Sequence, residues 1–325
     1  MPENDPDRSI ILPSGLHLEV KHVMSPQDIE EVLGLLQAVS SANGHPPIGE
    51  HRWLDLVQGG RQTHCGIIAG LQGHTHGPIG YAQLSGEYPD WSIDLAIHPH
   101  HLDPHDGPAI PMIKTAIDQV GRSGGGHVHL WVPKPEDSND LIAELAGLSK
   151  GRDLLQLRRS LPLGSDLAAE ADEMPVRQFR PGQDEEAWLQ VNNRAFAWHP
   201  EQGGWTSEIL YSREKEPWFD PKGFLLYEIE HQMAGFCWTK IHADQDPPLG
   251  EIYVIAVDPN FQGTGLGRRL TLSGLRFLEN RNLKIGMLYV DSTNKSALSL
   301  YTKLGFSLDH IDRAYVANVP ALNSP

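Results

Sequence analysis

The sequence predicts an α/β chain, with mixed (α+β) sheets flanked by helices, arranged as two tandem domains of one kind. Three observations carry this expectation. Apolar strand patterns alternate with amphipathic helical ones, the two halves repeat one order of elements, and one strand runs through a glycine-rich loop straight into a helix. At 325 residues the chain is long enough for two domains that each bury a core.

Leu16–Lys21 alternates apolar and polar residues as a strand does, and a helix follows from Gln27. Gly77–Leu84, Ile93–Pro99 and His129–Val132 read as further strands, and Leu145–Leu148 as the end of a helix. The second half follows the same script. Val176–Phe179 precedes a helix from Asp184, Gln232–Thr239 parallels Gly77–Leu84, and Tyr253–Pro259 parallels Ile93–Pro99. Met287–Val290 then parallels His129–Val132, and Lys303–Phe306 parallels Leu145–Leu148. A polar, alanine-rich stretch separates the halves. The expected division is a first domain over residues 15–163, a linker over 164–174 and a second domain over 175–319.

A formal net charge of −16 argues against nucleic acid or an anionic membrane as the main partner. No apolar run reaches membrane-spanning length, and the first residues lack a basic stretch followed by an apolar one. A soluble, cytoplasmic protein is expected. Cys65 and Cys237, one in each half, read as buried small hydrophobes in a reducing compartment. His98, His100, His101 and His105 crowd one loop, but proline breaks their spacing and no cysteine joins them, so no metal is expected.

The strongest signal is Glu251–Val257 feeding Gln262-Gly-Thr-Gly-Leu-Gly-Arg268 and a helical pattern after it. Glycines let backbone N–H groups approach phosphate oxygens, and the first turn of a helix supplies unpaired N–H donors at the positive end of its dipole. Gly267 is followed by Arg268 rather than Lys-Ser/Thr, which excludes a Walker loop, and the even spacing of Gly263, Gly265 and Gly267 excludes a dinucleotide fingerprint. Downstream, Asn294 is placed to cap a helix that ends Tyr301-x-x-Leu-Gly-Phe306, with Gly305 at its C-terminal cap.

Gln262-x-x-Gly265-x-Gly267, Asn294 and the Tyr301–Phe306 ending together resemble the GCN5-related N-acetyltransferase (GNAT) superfamily. Asn192–Phe196, His199–Trp205, Trp218–Pro221, Trp238–His242 and Leu249–Val254 narrow the resemblance to its mycothiol synthase family. It is close over residues 174–318 and looser over 16–163, where Pro47–Glu50 and Leu154–Arg159 carry it. The resemblance implies two tandem GNAT (acyl-CoA N-acyltransferase) domains and acetyl transfer from acetyl-CoA to the cysteinyl amine of Cys-GlcN-Ins, a pseudodisaccharide. It implies acceptor contacts at Glu50, Glu201, Lys240, Glu251 and Tyr289. It implies acetyl-CoA contacts at Ile255, Ala256 and Val257, at Gln262, Gly263, Thr264, Gly265, Leu266, Gly267 and Arg268, and at Asn294, Lys295, Ser296, Ala297, Leu298 and Ser299. Glu50 would put one acceptor contact on the first domain. A monomer is expected, the tandem pair standing in for a dimer.

Transfer to an amine requires a neutral amine, a stabilised oxyanion and a proton for the leaving thiolate. An α-amine with a reference pKa of about 8 is largely protonated at neutral pH, and Glu251 is the candidate base. In an unbulged strand, Glu251, Tyr253, Ile255 and Val257 share a face. A backbone N–H from Ile255 to Val257 is the candidate oxyanion donor, and Tyr301 the candidate acid. Opposite the glycine loop the first half has His98–Gly107, and opposite Glu251 and Tyr301 it has Trp91 and Ala143. That loop is degenerate, since proline offers no N–H, and the first domain reads as scaffold and substrate wall. Two rival readings remain: a GNAT enzyme for another amine, and an acetyl-CoA-binding module without turnover.

Overall fold

The structure, a computed structural model, describes residues 7–12, 15–43, 47, 63–72, 77–197, 202–243 and 245–322. The chain divides into two compact units, Met1–Asp153 with Ile311–Pro325, and Leu154–His310.

The first unit opens with strands β1 (Arg8–Ile11) and β2 (Leu16–Lys21), helix α1 (Pro26–Asn43), then β3 (Thr63–Leu71), β4 (Gly80–Glu87) and β5 (Asp90–Ile97). β1 to β5 pair antiparallel in sequence order. Helix α2 (Ala109–Arg122) returns the chain so that β6 (Gly126–Pro133) lies parallel to β5, and α3 (Asp137–Ala146) follows. Residues 312–319 complete the sheet antiparallel to β6, with Asp312 opposite Pro133 and Val319 opposite Gly126. The period-2 pattern of β2 sends Leu16, Leu18 and Val20 inward. They join Ile67, Leu84, Ile93 and Val128 in a core closed by Met112, Ile113 and Ala116 of α2, whose i, i+3 and i+4 spacing makes one apolar stripe. On the other face, Val32, Leu35, Leu36 and Val39 of α1 cover Tyr81 and Ala96.

Strand β7 (Ser149–Ser160) begins in the first unit and ends in the second, where residues 154–160 pair antiparallel with a strand far along the chain. The second unit continues with α4 (Ser165–Asp172), β8 (Arg177–Gln178), α5 (Glu185–Ala195), α6 (Ser207–Glu214), β9 (Phe224–Ile229), β10 (Gln232–His242) and β11 (Leu249–Val257). Helix α7 (Leu266–Asn280), β12 (Ile285–Asp291), α8 (Lys295–Lys303) and the first residues of β13 (Ser307–Val319) finish it. Its strands run β7-β12-β11-β10-β9-β8, with β11 and β12 parallel and the other pairs antiparallel. Leu270, Leu272, Leu275 and Leu278 of α7 pack on one face with Cys237, Ile252, Leu288, Val290 and Tyr301. The opposite face is aromatic, and Trp188, Trp205, Phe224, Phe236 and Trp238 bury Val254 and Ala256.

The division differs from the one the sequence suggested. Residues 164–174 are largely helix rather than linker, and α4 is tied to α7 by Glu170 with Arg268 and Asp172 with Arg276. The boundary falls at 153/154, because the end of β7 finds its partner on β12 and the end of β13 finds its partner on β6. Strand pairing, rather than neighbourhood in sequence, decides which unit owns each segment.

Candidate active site

A bulge shapes the centre of the second unit. β10 pairs Trp238 with Val254 and Thr239 with Ile252, so Tyr253 is an extra residue on β11. It breaks the expected alignment of Glu251, Tyr253, Ile255 and Val257. Ile252, Ile255 and Val257 pack on the α7 side, whereas Tyr253, Val254 and Ala256 face the aromatic side. The extra residue reverses the alternation, so two consecutive side chains, Tyr253 and Val254, face the same way.

Glu251 is buried, 7 % exposed, and lies directly across from Lys240 on β10. Cross-strand partners project from one face. The Lys240 ammonium sits 4.5 Å from the centre of the Trp218 ring and 5.8 Å from that of Tyr253, a cation–π cradle that fixes a flexible side chain. His242 Nε2 lies 2.7 Å from Glu251 Oε2, and a protonated Nε2 donates to that oxygen and orients the carboxylate. Tyr289 on β12 is 37 % exposed, and its hydroxyl accepts a 2.7 Å hydrogen bond from the Gln156 amide of β7. Glu50 and Glu201 lie outside the described residues.

β11 and β12 stay paired only from Leu249 with Ile285 to Ile252 with Leu288. Beyond that point the strands part, and among the described residues Tyr253–Val257 have no strand partner on the β12 side. The gap opens beside the expected oxyanion donors, Ile255 to Val257. Tyr301 packs in the cluster on the far side of the sheet from Glu251, its ring 5.7 Å from that of Phe306. Burial pushes its phenol well above the ordinary tyrosine value, and nearby Cys237 adds to the effect. Base and acid candidates thus sit on opposite faces, with the strand gap between them.

The gap leads to the glycine loop. Gly263 and Gly265 hold φ values of 78° and 80°, a region that costs other residues strain, and Gly265 starts α7 without a side-chain cap. The first N–H groups of the helix therefore point at an open cradle, which suits a diphosphate. Gln262 closes the loop from behind through Nε2 to the Val257 carbonyl at 3.3 Å. The Arg268 guanidinium is taken up by Glu170 in a two-point pair at 2.9 Å each, so its charge is already matched within the protein. Asn294 caps α8 by accepting from the Ala297 N–H at 3.1 Å, and Lys295 to Ser299 form the first turns of that helix.

The corresponding loop of the first unit differs. The N–H groups of His105 and Asp106 both donate to Asp103 Oδ1, at 2.8 and 3.0 Å, and helix α2 starts after Pro108. These two donors are spent internally. The strands still part there, with β5–β6 pairing ending at Ile93 and Leu130, and a cavity of about 430 Å³ opens among Leu95, Ile97, Trp131 and Tyr315. Neither Glu251 nor Tyr301 lines that cavity, so volume alone does not mark the chemistry. No helix among the described residues is long and apolar enough to cross a membrane.

Sequence reading missed His242, Trp218 and Tyr253 as parts of this site. His242 and Trp218 stand in the motifs noted above, but their roles depend on the bulge and on the β10–β11 register.

The family model described as "Acetyltransferase (GNAT) family" matches residues 187–306. Among curated proteins, the chain is 42 % identical over 295 residues to a mycothiol acetyltransferase of Acidimicrobium ferrooxidans, covering 89 % of this chain and 94 % of that one. It is 40 % identical to a mycothiol acetyltransferase of Streptomyces avermitilis, covering 93 % and 96 %. Among solved structures, a GCN5-related N-acetyltransferase from Sphaerobacter thermophilus aligns with a TM-score of 0.69 at 19 % identity, over 97 % of this chain and 99 % of that one. A tandem GNAT protein from the clavulanic acid biosynthesis pathway aligns at 0.65 and 15 % identity, over 94 % and 100 %. These two show the fold.

Proposed function

Because the chain belongs to the mycothiol acetyltransferase family, within the GNAT acetyltransferases, we propose that it transfers acetyl from acetyl-CoA to the cysteinyl amine of Cys-GlcN-Ins, giving mycothiol and CoA. The observation that carries the reading is the buried Glu251, set across from Lys240 at the edge of the β11–β12 gap.

Acetyl-CoA supplies the activated thioester, and the loop and helix starts described above suit its diphosphate. Glu251, held by His242, takes the proton of the acceptor ammonium, directly or through a water. A backbone N–H between Ile255 and Val257 donates to the carbonyl oxygen as charge gathers there. The Tyr301 hydroxyl gives its proton to the departing thiolate, and the second proton that the nitrogen loses as the amide forms restores the phenol. Its pKa, raised by burial, keeps the hydroxyl protonated and available as a donor. Lys240 and Tyr289 offer donors to a hydroxyl-rich acceptor, and Glu50 and Glu201 are proposed to join them. The first unit is proposed as scaffold and substrate wall, and the protein as a cytoplasmic monomer.

The test mixes the protein with acetyl-CoA and Cys-GlcN-Ins, beside glucosamine and simple amines, and follows acetylation by mass spectrometry. Selective acetylation of Cys-GlcN-Ins, reduced about 10²-fold or more by Glu251→Gln, is the expected result. Acetylation of other amines alone assigns a different acceptor. Acetyl-CoA binding without turnover of any amine assigns a non-catalytic module.

A further inference from the structure

The sheet face that carries Glu251 extends past the residues assigned to the acceptor so far. Met287 on β12 lies beside Glu251, and Arg158 on β7 lies beside Met287. One step along the strands, Tyr289 lies beside Gln156. Residues directly across in register share a face. The Gln156 amide, 4 % exposed, joins the last two groups: its Oε1 accepts from Arg158 Nε at 2.7 Å, and its Nε2 donates to the Tyr289 hydroxyl at 2.7 Å. Asp309 at 3.3 Å holds the far side of the guanidinium. The Arg158 side chain nevertheless keeps 32 % of its surface exposed.

Resting on the acceptor reading above, the geometry points to Arg158 and Gln156 as specificity residues that recognise the polyol ring at the end of the acceptor remote from its amine. A buried amide that orients a half-buried cation and an exposed phenol toward one patch suits a ligand with several hydroxyls at fixed spacing. Arg158 has five N–H donors in a rigid fork, and charged donors make the stronger bonds to hydroxyl oxygens. The placement fits the length of the molecule. Arg158 stands two strands from Glu251, about 10 Å at the usual inter-strand spacing. An acceptor whose amine meets Glu251 crosses one amide, the neighbouring C2 and C1 carbons of its sugar and a glycosidic oxygen before its cyclitol begins, a span of the same order as the distance to Arg158.

The experiment compares two acceptors, Cys-GlcN-Ins and the truncated Cys-GlcN, by kcat/KM in the wild type, Arg158→Met and Gln156→Leu. The wild type is expected to prefer the full acceptor. Arg158→Met should lower kcat/KM for it about 10- to 100-fold while leaving Cys-GlcN and the KM for acetyl-CoA unchanged, and Gln156→Leu should act in the same direction. Equal losses on both acceptors, or no loss on either, overturn the assignment. If Arg158→Met does not fold, Arg158→Lys answers the question, since it keeps the charge and loses the fork. Its preference for the full acceptor should fall, and a retained preference overturns the assignment. A wild type that acetylates neither acceptor overturns the acceptor reading itself, and this assignment with it.

Discussion

Tyr301 shows how one residue's surroundings set its chemistry. The hydroxyl is enclosed with Cys237 and Leu304, and burial holds its pKa above the ordinary value of about 10. A raised pKa keeps the proton on at higher pH, so Tyr301 stays a competent acid through the neutral and mildly alkaline range. Loss of activity from its ionisation should begin only above about pH 10. Tyr301→Phe is expected to lower kcat about 10²-fold across the profile and to remove that alkaline limb, with the KM for acetyl-CoA little changed. A pH series of kcat for both proteins checks this. Tyr301 was legible in the sequence because its role travels with a local motif, one helical turn before a capping glycine. His242, Gln156 and Arg158 were not legible as a group. They meet Glu251, Tyr289 and one another through strand register, which no spacing in the sequence encodes.

At the scale of elements, the start of α7 and the end of α6 each make a prediction. Gly265 occupies a left-handed conformation at the helix start, and a β-branched side chain there costs about 1–2 kcal/mol of strain and reaches into the cradle. Gly265→Val is expected to raise the KM for acetyl-CoA at least 10-fold and to lower the melting temperature, both readable on purified protein. The loop could be anticipated because glycine spacing dictates its backbone. The bulge at Tyr253 could not, since an extra residue leaves an apolar run such as Ile252–Val257 unchanged in composition.

Glu214 ends α6 with Oε1 buried and without a hydrogen-bond partner among the described residues. Burial, reinforced by Glu185, raises its pKa to about 7 from an ordinary 4.5. The folded state therefore binds this proton more tightly than the unfolded one. The resulting stability is complete below about pH 4.5 and is lost as pH rises through about 7. Glu214→Gln should match the wild type near pH 4.5 and melt at a higher temperature above pH 7, by an amount reduced by the partial solvation of the group. Melting curves at stepped pH give the answer, and a constant offset at every pH contradicts it.

For the whole molecule, the repeat was visible in the sequence because each half needs the same alternation of strands and helices. The units were not, because a division by sequence assumes that each one is a single continuous stretch. The first unit is completed by Ile311–Pro325, and the second begins at Leu154. Cutting at 164–174 should thus yield two fragments that are insoluble or unfolded when made alone. The first lacks the strand that covers β6, and the second lacks the strand that covers β12. Fragments cut this way should recover structure when produced together, as far-ultraviolet circular dichroism will show. A fragment 1–163 that is monomeric and cooperative by itself would contradict the division.

Residues 312–319 also govern when the first unit matures during synthesis. Domains usually fold in order as they leave the ribosome. Here β6 waits with one edge bare until residues 312–319 have been translated and have cleared the exit tunnel. Until then the nascent chain carries an open template for adding foreign strands. Stalling translation before residue 312 should therefore leave an aggregation-prone species, although β6 itself is complete.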